Sequence, residues 1–130
     1  MRLLFDTHCF LWWIAEPERL PSAVIDALRS PQSELYLSAA SAWEVRIKTQ
    51  LGRLMLSEPW ERLVEREVSE NGLHLLPITV MHTDQLITLE PLHRDPFDRM
   101  LMAQSKAETM RLVSGDSWIH EYPDIDILWK

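Results

Sequence analysis

The chain has a single cysteine, Cys9, and only 3 glycines among its 130 residues. One cysteine excludes an internal disulfide and is typical of a reducing compartment. The sequence also has no glycine-rich loop that would cradle phosphates, so it gives no support to nucleoside triphosphate chemistry. No apolar stretch approaches the length that spans a bilayer, and the first residues lack a signal-peptide pattern. We therefore expect a cytoplasmic protein that does not enter a membrane.

Positive charge is also scarce, since 20 acidic residues outnumber 13 basic ones and the net charge is −7. This weighs slightly against a general nucleic-acid binder, because affinity for the phosphate backbone normally requires a basic face. Basic residues do lie beside individual acids, as Arg46 and Lys48 do after Glu44, although a solvated surface of mixed sign is the commoner reason. The hydrophobic fraction of 46% and the length indicate one globular domain spanning residues 1–130.

Short apolar runs alternate with helical patterns along the chain. Strands are predicted at residues 2–5, 34–37, 73–76, 110–113 and 125–129. Helices are predicted at residues 8–14, 21–30, 41–51, 59–71, 80–89 and 96–109. Strands separated by helices imply right-handed crossovers and a mostly parallel sheet. The predicted fold class is therefore α/β, with a central sheet between two layers of helices.

Four acids fall where such a fold brings strand ends and helix starts together: Asp6, Glu44, Asp98 and Asp116. In an open parallel sheet these positions converge on one crevice. Four converging carboxylates repel one another unless a divalent cation neutralises them, and all-oxygen ligation suits Mg²⁺ or Mn²⁺. Such a site is typical of metal-assisted phosphodiester hydrolysis.

Helix capping is an alternative explanation for each of the first two acids. Asp6 precedes a helix, although Thr7 is predicted to supply the cap and to leave the Asp6 carboxylate free. Ser41 and Glu44 form a capping-box pattern, which would explain Glu44 without any chemistry. Lys48 lies four residues after Glu44, where it could pair with that acid or contact a substrate phosphate.

The other two acids have the same alternative. Asp95 precedes Pro96 and is the natural cap of its helix, so we assign a structural role to Asp95 and a chemical role to Asp98. Asp116 could cap a short turn, a role that Ser117 could share. The convergence of all four acids at one end of the sheet favours chemistry over four separate caps.

Other polar and aromatic residues give weaker signals. The histidines His8, His93 and His120 do not have metal-ligand spacing and are predicted at or near the surface, and Cys9 is predicted in the core. The helical run Phe10–Ile14 has five bulky apolar residues, more than one face of a helix can bury. Either Trp12 contributes to a partner surface, or the helix is sandwiched inside the domain.

The order of these motifs resembles that of the PIN-domain ribonucleases, and among them the VapC-type toxins of toxin–antitoxin pairs. The resemblance spans essentially the whole chain. It rests on Leu-Leu-Phe-Asp-Thr-His at 3–8, Ser-Ala-Ala-Ser-Ala-Trp-Glu at 38–44, Lys48 with Leu-Gly-Arg-Leu at 51–54, His-Arg-Asp-Pro-Phe-Asp-Arg at 93–99 with Ala-Gln at 103–104, and Leu-Val-Ser-Gly-Asp at 112–116. The segment around Asp98 is the most specific of these.

The resemblance implies a three-layer PIN-like sandwich and an endoribonuclease that depends on Mg²⁺ or Mn²⁺. By motif position Asp6, Glu44, Asp98 and Asp116 form its catalytic quartet, with Asp6 and Asp98 as direct metal ligands. Glu44 and Asp116 then complete the site or hold water, and either could accept a proton. The resemblance further implies an RNA substrate, a homodimer and a cognate antitoxin.

Four further residues are candidates for positioning the substrate. Lys48, Arg94 and Arg99 are placed to contact flanking phosphates, which would orient the RNA without reading its sequence. Ser114 matches the Ser or Thr that the family often has two residues before the last acid. Gly115 departs from the pattern and is expected to loosen the backbone next to Asp116.

Three alternative functions stay open. An aspartyl-phosphate phosphatase would need a second acid two residues after Asp6, where the chain has His8, so this class is disfavoured. A catalytically inactive binding module is disfavoured by the presence of all four acids. A PIN-domain nuclease that acts in RNA processing without an antitoxin would have the same site residues.

Overall fold

The structure, a computed structural model, describes all 130 residues. The strands are β1 (Arg2–Phe5), β2 (Glu34–Ser38), β3 (His74–Leu76), β4 (Arg111–Val113) and β5 (Ile127–Leu128). The helices are α1 (Thr7–Ala15), α2 (Ser22–Arg29), α3 (Ala39–Gln50), α4 (Trp60–Asn71), α5 (Val80–Leu86) and α6 (Pro96–Glu108), with 3₁₀ turns at Pro17–Arg19 and Ile119–Glu121. None of these helices combines the length and the apolar composition that crossing a membrane requires.

The strands form one sheet in the order β3-β2-β1-β4-β5, and every neighbouring pair is parallel. β1 lies in the middle because its side chains are apolar on both faces, and Leu3, Leu4 and Phe5 are completely buried. Leu3 and Phe5 pack in one core with residues of α1, α2 and α4, whereas Leu4 packs in a second core with residues of α6. The predicted three-layer α/β sandwich is therefore confirmed.

The starts of two helices differ from the prediction. Asp6, not Thr7, caps α1, because Asp6 Oδ1 accepts a 2.7 Å hydrogen bond from the backbone N–H of Cys9. α3 begins directly after β2 with Ser38 as its cap, and Ser38 Oγ accepts from the N–H of Ala40 at 3.0 Å. The predicted Thr7 cap and the predicted Ser41–Glu44 capping box are therefore wrong.

Tertiary contacts explain these shifted starts. Thr7 Oγ1 donates a 2.9 Å hydrogen bond to Ser41 Oγ, and both residues are buried. The two hydroxyls therefore join α1 to α3 and are not available as caps. The run of alanines after Ser38 favours an earlier helix start, because alanine is the strongest helix former.

The aromatic run in α1 is packed and not free. Phe10 is 1% exposed, and Leu11, Trp12, Trp13 and Ile14 are partly buried against the same core. The Arg19 guanidinium lies 4.6 Å from the Trp12 ring centroid, and the Trp129 ring lies 6.5 Å from it. Trp12 is thus partly covered from two sides by its own chain.

Candidate active site

The first part of the site lies where β1 and β4 end side by side. The Asp6 N–H donates a 3.0 Å hydrogen bond to the carbonyl of Val113, so the parallel pairing places Asp6 next to the residues that follow β4. Asp6 is 5% exposed, and this burial raises the pKa of its carboxyl. The Ser114 hydroxyl and the N–H of Cys9 oppose that rise by hydrogen bonding to the carboxylate.

Asp98 reaches the site from the first turn of α6. Asp95 Oδ1 caps this helix by accepting hydrogen bonds from the N–H groups of Phe97 and Asp98, at 2.8 and 3.1 Å. The predicted capping role of Asp95 is confirmed. The pKa of Asp98 is raised to about 6, mainly by burial and also by the charges of Asp95 and Asp6, while a hydrogen bond with His93 opposes the rise. Asp6 therefore lies close enough for its charge to act on Asp98.

His93 is a member of the site that the sequence did not reveal. Its Nε2 atom lies 2.8 Å from Asp98 Oδ2 and 3.8 Å from Asp116 Oδ2. One donor atom from each of His93, Asp98 and Asp116 lies within 4.8 Å of the other two. The half-buried position of His93 agrees with the prediction, whereas its place beside two acids was not indicated by the spacing of histidines in the sequence. The three donors come from a loop, a helix start and a strand end, and only the fold brings them together.

The two carboxylate oxygens of Asp116 have different neighbours, one in a turn and one in the site. Its Oδ1 accepts a 2.8 Å hydrogen bond from the N–H of Trp118, while Oδ2 is the atom near His93. The adjacent Gly115 is required by close packing, because a Cβ atom there would lie 2.5 Å from Cζ2 of Trp129. We expected Gly115 to loosen the backbone, but the structure explains this glycine by its close contact with the Trp129 ring.

Glu44 is buried on α3 and is 4% exposed. Its Oε2 lies 2.8 Å from Lys48 Nζ, so the pairing expected from their spacing is present. Its Oε1 is buried without any hydrogen-bond partner. No hydrogen bond or ion pair joins Glu44 to the other three acids. The Thr7–Ser41 hydrogen bond nevertheless holds α3, which carries Glu44, against α1, which Asp6 caps.

The three basic candidates have different surroundings. The Arg99 guanidinium donates hydrogen bonds to the carbonyls of Leu86, Leu89, Glu90 and His93 and to the Tyr122 hydroxyl. It therefore holds the loop before α6, a structural role that leaves its N–H groups engaged with the protein. Lys48 pairs with Glu44, and Arg94 is exposed.

These residues fit a divalent cation. Asp6 is buried and Asp98 is half-buried, and the pKa of each carboxyl is raised, so their ionised forms lack sufficient compensation within the protein. The buried Glu44 Oε1 has no hydrogen-bond donor to offset the free-energy cost of removing it from water. Oxygen-rich sites of this kind are typical of Mg²⁺ and Mn²⁺, and the carboxylates alone do not distinguish the two.

A groove of about 880 Å³ lies between α3, α4 and the edge strand β3. None of the four acids lines it. We call it the α3–α4 groove, and its walls are mainly apolar, with Trp43, Trp60, Val64, Val68 and Leu75 among them. Trp43 and Leu75 are 61% and 58% exposed, values that are high for such side chains and typical of a partner surface.

Comparisons with known proteins agree with this geometry. A family model described as the PIN domain matches residues 3–125. Ribonuclease VapC22 of Mycobacterium tuberculosis is 29% identical over 132 residues, which cover 98% of each chain. Among solved structures, VapBC2 from Rickettsia felis bound to a promoter DNA fragment matches with a TM-score of 0.75 at 14% identity, over all of both chains. A toxin–antitoxin complex from Klebsiella pneumoniae matches with a TM-score of 0.59 at 13% identity, over 97% of this chain and 95% of that one. The chain therefore belongs to the PIN-domain family.

Proposed function

We propose that this PIN-domain protein is a metal-dependent endoribonuclease and the toxin of a toxin–antitoxin pair. The observation that carries the proposal is the cluster of Asp98, Asp116 and His93 beside Asp6, at the carboxyl ends of neighbouring parallel strands. The similarity to a ribonuclease over 98% of both chains supports the same activity. Asp6, Glu44, Asp98 and Asp116 are the proposed catalytic acids.

Asp6 and Asp98 are the proposed metal ligands, and the cation, Mg²⁺ or Mn²⁺, would activate a water molecule and offset charge on the scissile phosphate. Asp116 is the better placed of the two remaining acids to accept the proton of the attacking water. Its side chain is 32% exposed, whereas that of Glu44 is 5% exposed and already pairs with Lys48. We assign Glu44 to charge balance deeper in the site.

Arg94 and Lys48 are the proposed contacts for phosphates that flank the cleaved bond. Arg94 is exposed and adjoins His93 in the chain, and the Lys48 side chain is 36% exposed beside Glu44. Arg99 is left out, because its guanidinium is bound to backbone carbonyls. Ser114 positions two acids: its hydroxyl accepts from the Asp116 N–H at 3.1 Å and lowers the pKa of Asp6.

Cleavage of a labelled RNA with unpaired loops tests the activity. We expect cleavage with Mg²⁺ or Mn²⁺, no cleavage with a chelator, and none from Asp98→Asn with either metal. The matched control is Asp124→Asn, which changes an exposed acid whose partner is Lys106 and not a residue of the site. Equal activity of Asp98→Asn and wild type would overturn the proposal.

We also propose that an antitoxin binds the α3–α4 groove and that the chain forms a homodimer. The support is the apolar groove together with the likeness to a toxin–antitoxin complex. Leu75→Glu should abolish co-purification with the antitoxin encoded beside this chain, whereas Ile87→Glu, at an 88% exposed residue outside the groove, should not. Light scattering of the purified chain tests the dimer.

The antitoxin experiment also separates the remaining alternative. A PIN-domain nuclease in RNA processing would cleave RNA through the same acids but would have no antitoxin gene beside it. A protein that binds RNA without cleaving it under any metal would instead be the inactive module.

A further inference from the structure

We propose that His93 is a nitrogen ligand of the metal site and that it makes the site prefer Mn²⁺ to Mg²⁺. This inference rests on the proposed function, because it concerns the same cation. It goes beyond the four acids, none of which supplies nitrogen. The argument has three parts: the spacing of the donor atoms, the way the ring is held, and the chemistry of imidazole.

The spacing of the donors suits a common cation. In an octahedral shell at about 2.1 Å, neighbouring ligand atoms are about 3 Å apart and opposite ones about 4 Å apart. His93 Nε2 lies 2.8 Å from Asp98 Oδ2 and 3.8 Å from Asp116 Oδ2, which is close to those separations. The ring therefore has to move little to share a cation with Asp98 while it stays beside Asp116.

His93 is held in place by its backbone and by its ring. Its backbone N–H donates a 2.9 Å hydrogen bond to the Tyr122 hydroxyl, and its carbonyl accepts one of 3.3 Å from Arg99. The imidazole stacks on Trp118, with the ring planes 16° apart and the centroids 6.3 Å apart. The His93 side chain is only 14% exposed, so it differs from a mobile surface histidine that meets an acid by chance.

Two other histidines, His82 and His120, have different environments. His82 Nδ1 accepts from the N–H of Thr79 and Nε2 bonds to Glu108, so both nitrogens serve the packing of α5 on α6. His120 Nε2 lies 2.8 Å from a backbone carbonyl, that of Ser114. Among these three histidines only His93 faces two carboxylates.

The chemistry of imidazole gives the direction of the preference. Mg²⁺ favours oxygen ligands and retains its waters, whereas imidazole nitrogen binds the transition metals better. Wild-type protein should therefore bind Mn²⁺ more tightly than Mg²⁺, and His93→Gln should lose most of that difference. Glutamine can still bond to Asp98, so the variant removes the nitrogen ligand while it keeps a polar side chain of similar length.

Pulsed electron paramagnetic resonance of the Mn²⁺-loaded protein tests the inference directly. We expect nitrogen modulation from a bound imidazole in wild type and in the control His74→Gln, whose histidine is exposed on β3. The modulation should be absent in His93→Gln. Wild-type protein grown with ¹⁵N-labelled histidine should show the matching change of coupling without any mutation, which keeps the test valid if the variant fails to fold.

The outcomes separate the two proposals. Mn²⁺ that binds and supports cleavage but shows no histidine nitrogen coupling overturns the inference and leaves the proposed function standing. Nitrogen coupling that persists in His93→Gln overturns it as well, by assigning the ligand to another histidine. A protein that binds neither metal overturns both.

Discussion

Asp95 Oδ1 accepts a 3.1 Å hydrogen bond from the backbone N–H of Asp98, so one acid fixes the helix start from which the other enters the site. The two carboxylates are close in the chain but contact different groups. Asp95 is bonded to backbone N–H groups, whereas Asp98 faces His93. Their mutational effects should therefore separate.

We expect Asp98→Asn to abolish metal-dependent RNA cleavage and to leave the fold intact. Asp95→Ala should lower the free energy of unfolding by about 1 kcal/mol, the usual effect of losing a cap, and should retain cleavage. Cleavage assays and urea denaturation of both variants check this. Loss of cleavage in Asp95→Ala alone would reverse the assigned roles.

The second prediction concerns the pH dependence of stability in the metal-free protein. The pKa of Asp98 is raised to about 6 in the folded state, so between about pH 4 and pH 6 the folded state keeps a proton that the unfolded state has lost. The free energy of unfolding should therefore fall as pH rises through this window, by at most about 3 kcal/mol from this group. Asp6, whose pKa is also raised, acts in the same direction.

Urea denaturation with a chelator at about pH 4.5 and about pH 7.5 measures this effect. Asp98→Asn should be more stable than wild type at the higher pH and close to it at the lower pH. Adding Mn²⁺ should remove the advantage of the variant. A stability difference that does not change with pH would contradict the assigned burial of this charge.

The third prediction concerns Lys48 and Glu44, whose charged groups lie 2.8 Å apart. Lys48→Met should lower stability by about 2 kcal/mol without metal, because it leaves a buried carboxylate with no partner on either oxygen. Adding Glu44→Gln to that variant should restore part of the loss. Lys106→Met, which breaks a more exposed pair with Asp124, should cost less than about 1 kcal/mol. Chemical denaturation compares the four proteins.

The fourth prediction concerns Gly115 and the ring of Trp129. Gly115→Ala should destabilise the protein by about 1–3 kcal/mol through overpacking, and the loss should shrink when Trp129→Leu is also present. Gly72→Ala is the control: φ there is +66° and no atom lies within 4 Å of an added Cβ, so its loss should be independent of Trp129. Additive losses at Gly115 and Trp129 would contradict the steric role.

The parallel sheet and its two helix layers follow from patterns that the sequence shows directly. The fully apolar run Leu3–Phe5 indicates a strand buried on both faces, and such strands need helices above and below. Element ends were less predictable. The helix predicted at residues 80–89 ends at Leu86, and the strand predicted at 125–129 has only Ile127 and Leu128. Short elements depend on partner contacts that local propensity does not contain.

The site was predictable only in part. Acids that follow strands or begin helices could be identified, because the parallel fold fixes where those positions converge. The role of Thr7 could not be predicted, because its partner Ser41 is distant in the chain and the hydrogen bond between them competes with capping. His93 was also missed, because a loop residue carries no periodicity.

The position of β1 in the middle of the sheet has a consequence for protein synthesis. β1 is made before its neighbour β4, which begins only at Arg111. A growing chain therefore has Asp6 long before Asp98 and Asp116, and its central strand is unpaired on one side until β4 is made. Because such distant contacts form late, the carboxylate cluster cannot assemble on the ribosome before the residues up to Asp116 have emerged. Translation therefore delays the complete site until β4 and the turn after it are available.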